Sequence, residues 1–110
     1  TLRNACGDNP ELIRDVIRLF LDEAPMRLGR LGAALTRTDG RQAVRESQAL
    51  AGAMRTIGAE ALAQSCREIL DHCERDDFNS ARELYHPLRR GADRLGEELA
   101  SHLAASEIHV

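Results

Sequence analysis

The sequence predicts an all-α protein, an up-down four-helix bundle, on three observations. Apolar residues recur at steps of three and four through most of the 110 positions, the spacing of helix faces and not of strands. One tyrosine, two phenylalanines and few β-branched runs leave strand signals almost absent. Short clusters of Asp, Asn, Gly and Arg separate the periodic segments, as expected where antiparallel helices follow one another closely. A chain of this length makes one domain with one modest core, here residues 1–110.

Residues 1–8 read as a leader that holds a short extra helix or drapes over the bundle. Asp8-Asn9-Pro10-Glu11 is a helix start: a capping side chain, proline in the first turn, then an acid at the positive end. Leu12, Ile13, Val16, Ile17, Phe20, Leu21 and Ala24 keep helical spacing from there, and Met26, Leu28, Leu31, Ala34 and Leu35 resume it to about Thr38. Pro25 stands between the two runs. It lacks an N–H and crowds the carbonyl four residues back, which predicts one long kinked helix or two abutting ones.

Asp39 and Gln42 suggest a capping box, Asp39 as N-cap and Gln42 reaching back. The helix that follows runs to about Ile57, and Gly58 is suited to end it in a left-handed conformation. A third helix spans about Glu60 to Arg75, with Leu62, Cys66, Ile69, Leu70 and Cys73 inward. Asn79 can cap the last helix, whose inner stripe is Ala81, Leu84, Leu88, Ala92, Leu95, Leu99 and Leu103. Pro87 should kink that helix and Gly91 and Gly96 weaken it. Residues from about 102 to 110 read as a fraying tail.

Composition excludes several functions. Net charge is −3, and no block concentrates the 15 basic residues, all arginine, so nucleic acid is not expected as a partner. No run of 18 apolar residues or signal-peptide pattern occurs, so direct membrane contact is not expected either. Cys6, Cys66 and Cys73 are odd in number and form no CxxC pair. They fit reduced thiols in a cytoplasmic protein better than a disulfide framework. A start at Thr1 without methionine suggests a piece of a larger chain.

The segment Arg45 to Ala59 stands out. Ala43, Ser47, Leu50, Met54 and Ile57 make its inward stripe, while Arg45, Gln48, Gly52 and Arg55 cluster on a neighbouring polar face. Glycine inside a helix costs about 1 kcal/mol relative to alanine. Gly52 therefore needs a reason, and a bare patch one turn beyond Gln48 would let a partner's backbone come close.

This segment resembles the signature of histidine-containing phosphotransfer (HPt) domains, His-x-Leu-Lys-Gly-Ser followed by a Gly-Ala pair. Leu50, Gly52, Gly58 and Ala59 match the leucine, the glycine and the Gly-Ala pair. Gln48 stands at the phosphoacceptor histidine, Ala51 at the lysine and Ala53 at the small polar residue. The FLDEAP stretch (Phe20 to Pro25), the Leu62-to-Cys66 stretch and the leucine-spaced last helix are similar to the family too, so the likeness covers nearly the whole chain. It implies bacterial two-component signalling, as the cytoplasmic part of a hybrid sensor kinase or a similar signalling protein, with a membrane-anchored parent as one implied arrangement. The implied partner is a receiver domain of a response regulator, or a histidine-kinase domain.

The family's chemistry needs an imidazole. A neutral ring nitrogen attacks a receiver's aspartyl phosphate and holds the phosphoryl group as a phosphoramidate. Gln48 has no such lone pair, because its amide nitrogen is delocalised into the carbonyl. Ala51 also removes the family's cation. The residues therefore point to a pseudo-HPt domain, not an enzyme, that binds its partner through Arg45, Gln48, Ala51, Gly52 and Arg55 and needs no cofactor. Two alternatives stand: an active phosphotransfer domain disabled by a His→Gln change at position 48, and a generic helical oligomerisation module. The departures at Ala51 and Ala53 favour natural degeneracy over a single introduced change.

His72, His86, His102 and His109 lack the glycine-bearing face that surrounds Gln48. His72 and Cys73 are adjacent and diverge, so no metal site is expected. Asp22-Glu23, Asp76-Asp77 and Glu97-Glu98 are neighbours along the chain and not facing pairs. The isolated domain is expected to be monomeric.

Overall fold

Each helix gives way to the next through three residues, and the backbone makes the same turn each time. The computed structural model describes residues 9–108, which form α1 (Pro10–Thr36), α2 (Gly40–Thr56), α3 (Glu60–Glu74) and α4 (Phe78–Ile108). The expected leader at 1–8 lies outside the described residues, as do positions 109–110.

At each turn one residue is left-handed: Thr38 at φ 54°, Gly58 at φ 86° and Asp76 at φ 59°. The N–H after it donates back to a carbonyl in the last helical turn. Asp39 reaches Ala34, Ala59 reaches Met54 and Asp77 reaches His72, each at 2.8 Å. This closure satisfies carbonyls that a helix end otherwise leaves open. Glycine fits the left-handed position freely, and aspartate tolerates it. Thr38 is β-branched and carries a steric cost there. Thr38→Gly is therefore expected to stabilise the bundle by about 1 kcal/mol. In urea unfolding the midpoint should rise at unchanged slope; an unmoved midpoint would remove the strain argument.

The residue closing each turn also opens the next helix. Asn9 starts α1 as expected, its Oδ1 accepting from the N–H of Glu11 at 3.1 Å and of Leu12 at 3.2 Å, with Pro10 next. Asp39 caps α2 through Gln42 N–H at 3.2 Å. The other half of the expected box does not form, because the Gln42 amide is drawn to Glu46 instead. The last helix is capped by Asp77, accepting from Ser80 N–H at 3.2 Å, and not by Asn79. Asn79 Oδ1 instead accepts from Arg82 at 2.9 Å. The hydrogen bonds from Ser80 hold the Asp77 carboxyl below the usual carboxylate range.

Neither proline interrupts its helix. α1 runs through Pro25 and α4 through Pro87, which excludes the two abutting helices considered for residues 10–36. Ala24 and Leu28 are buried on either side of Pro25, and that packing offsets one lost backbone hydrogen bond. The tail expected from about residue 102 is also helical, to Ile108. Leu99 and Leu103 still pack against the core and extend α4 past its last buried residues.

α2 packs between α1 and α3, and α4 closes the ring between α3 and α1. The molecule measures 50 × 21 × 18 Å, its long axis matching a 31-residue helix at about 1.5 Å per residue. Ile17, Leu31, Leu35, Leu50, Met54, Ile69 and Leu88 fill the centre. Leu12 and Met26, placed inward by periodicity, are exposed, and Leu62 and Leu70 are half-buried. Burial pushes the Cys66 thiol up to about 12, so it stays protonated and packs as a small apolar group.

Candidate functional site

α2 is anchored at both ends and along one side, and its free side carries the candidate site. Ala43, Ser47, Leu50, Ala51 and Met54 face the bundle. Opposite them, Arg41, Arg45, Gln48, Gly52 and Arg55 are all exposed. Steps of four and three keep these five within an arc of about 80° at 100° per residue. Four of the five expected site residues thus share one open stripe.

Ala51 does not. It is 5% exposed and belongs to the core, so it offers a partner almost no surface. The reason is angular: position 51 lies toward the edge of the stripe, and a methyl group tucks under the bundle without cost. A periodicity argument cannot place alanine, which suits either side.

Among the described residues nothing packs against Gly52. A Cβ built there would meet nothing within 4 Å. Its carbonyl accepts from the Thr56 hydroxyl at 2.9 Å, a back-bond within the helix. The bare surface therefore opens to solvent beside Gln48.

The sequence reading missed Glu46. This carboxylate is 2% exposed and bonded on both oxygens. Arg27 Nη1 donates to Oε1 at 3.0 Å from α1, and Gln42 Nε2 donates to Oε2 at 2.7 Å from the preceding turn. Its position three after Ala43 and four before Leu50 marks it as inward, and Arg27 supplies the opposite charge. Glu46 is the only acidic residue in α2. Its inward, neutralised placement leaves the exposed stripe with arginines alone. Neither Arg45 nor Arg55 has a side-chain partner among the described residues.

Beside the stripe, α1 and α2 enclose a groove of about 250 Å³ with an apolar floor of Val16, Leu19, Ala49, Ala53 and Ile57. Glu23 and Arg27 stand at its rim. Leu19 is 58% exposed, and Leu12 and Met26 continue the same α1 face at intervals of seven. Leu12, Leu19 and Met26, which lie outside the FLDEAP segment, thus give α1 an apolar face beside the basic stripe.

The remaining histidines lie elsewhere. His72 is half-buried, with Nδ1 3.4 Å from Asp77 Oδ2 but without an aligned hydrogen bond. His86 and His102 are exposed on α4, and His109 lies outside the described residues. Among the described residues no three His, Cys, Asp or Glu side chains converge as metal ligands, and no helix is long and apolar enough to cross a membrane.

A protein-family model described as Hpt domain matches residues 15–106 of the chain. No curated protein and no solved structure matches it.

Proposed function

The chain belongs to the Hpt domain family, which serves phosphorelay signalling, and from that premise we propose that it docks a receiver domain without carrying phosphate at position 48. One observation carries this reading: Gln48 is exposed beside Gly52 on a stripe whose only charges are arginines. The geometry of access is kept while the nucleophile is replaced by an amide. Arg45 and Arg55 complement the acidic, metal-bearing pocket of a receiver, and the Val16–Leu19 groove receives its apolar edge. Such a module sequesters a receiver or scaffolds a relay, as a cytoplasmic monomer. A histidine-kinase domain is the other partner class.

The test is incubation with a radiolabelled phospho-receiver, following acid-labile label and binding together. Saturable binding with no label on this chain is expected. Label transfer, or failure of every receiver from the source organism to bind, would overturn the proposal. A monomer is expected in light scattering; mass that rises with concentration would favour an oligomerisation module.

The open setting of residue 48 also favours a second reading, a phosphotransfer intermediate disabled by its glutamine. Gln48→His separates the two. Gain of transfer supports the disabled intermediate, whereas an inert variant favours the pure docking module, its surface and Ala51 having departed too far from the family pattern.

A further inference from the structure

We propose that the seam between α1 and α4 is a separate anion site, which takes a phosphate group carried by a small molecule. It lies on neither face of α2 and does not depend on the receiver-docking reading. The seam holds a cleft of about 350 Å³, within the size range of small-ligand sites. From α4 it is lined by Arg82, Tyr85, His86 and Arg89, which share one helix face. Although the chain carries a net charge of −3, no carboxylate among the described residues lines this cleft. Outside the cleft, Asp93 stands 3.6 Å from Arg89 Nε.

The opposite wall, from α1, is Gly29, Gly32, Ala33, Leu35 and Thr36, and its two glycines expose backbone. A Cβ on Gly29 would meet nothing within 4 Å, which leaves the cleft open there. At Gly32 a Cβ would come within 2.6 Å of the Tyr85 hydroxyl, so glycine is what lets the tyrosine lie flat against α1. Tyr85 then donates to the Leu28 carbonyl at 2.7 Å and accepts from Arg89 Nη1 at 3.1 Å. Arg82 is held in parallel, Nε on the Leu35 carbonyl at 3.1 Å and Nη1 on Asn79 at 2.9 Å.

Both guanidiniums are thus fixed through named nitrogens, and neither Nη2 has a hydrogen-bond partner among the described residues. His86 adds an exposed ring, edge-on to Tyr85 with centroids 5.8 Å apart. Capping the α1 carboxyl end explains the Nε bond of Arg82, but not the tyrosine-held Arg89 or the bare glycines facing it. Donors oriented before the ligand arrives lose little entropy on binding, and guanidinium suits the flat edge of an oxyanion.

The experiment is a 15N NMR titration of the whole chain with inorganic phosphate and with pyrophosphate, at ionic strength matched by sodium chloride. Saturable shifts are expected at Gly29, Gly32 and residues 82–89, tighter for pyrophosphate. Arg89→Gln should weaken binding about tenfold, with Arg89→Lys between it and the parent. Arg89 is preferred to Arg82 because it caps no helix, and His86→Ala gives a second, solvent-facing variant, expected to weaken binding several-fold. Three results would each overturn the proposal. They are shifts that chloride reproduces, binding that both variants leave unchanged, and malonate binding as tightly as phosphate. Gly52 variants should leave this titration untouched, so its outcome is separable from that of the docking experiment.

Discussion

Arg27→Met is expected to destabilise the bundle by about 2–3 kcal/mol, although its side chain is nearly one-third exposed. The loss comes from what is left behind. Glu46 would keep only the Gln42 amide while its carboxylate stayed 2% exposed. A buried charge stripped of its partner costs more than the pair contributed. In thermal unfolding this corresponds to a fall of roughly 10–20 °C for a domain of this size. The double variant Arg27→Met/Glu46→Met should recover most of the loss, since an apolar pair of similar volume removes the stranded charge. Glu46→Gln should cost less than Arg27→Met, because the amide oxygen still accepts a hydrogen bond. Equal losses in all three variants would show that the charge stranded by Arg27→Met does not set the energy of this contact.

The same pair marks the boundary of what the sequence could tell. The helices were legible because apolar residues at steps of three and four have one arrangement that buries them together. The Asn9-Pro10 start and the Gly58 end were legible because those residues are chemically specialised for their positions. Thr38 and Asp76 make the same turn as Gly58 with no such specialisation. Their conformation is imposed by the packing of the helices on either side. Glu46 was missed because its partner lies 19 residues away on another helix, a tertiary relation that periodicity does not contain. Ala51 was misplaced for the opposite reason, since a methyl group makes no demand on its surroundings. The α1–α4 cleft was invisible because nothing in the spacing of Arg82 and Arg89 tells that Tyr85 lies between them against Gly32 of another helix.

The exposed stripe can be tested where stability and binding should move in opposite directions. Gly52→Ala is expected to stabilise α2 by about 1 kcal/mol, because a methyl group there meets nothing and the helix gains an alanine. If Gly52 serves only the fold, that gain is free and binding stays as it was. If a receiver's backbone comes down beside Gln48, the methyl group occupies the space of closest approach and affinity falls. Gly52→Gln enlarges the obstacle without changing charge, and a loss of at least about tenfold in affinity, 1.4 kcal/mol, is expected. Urea unfolding and receiver titration of the same two variants read the two quantities separately. A stabilised Gly52→Ala together with a Gly52→Gln variant that binds as the parent does would remove the stripe as a docking face. The family fold would stand, and the glycine would lack a function.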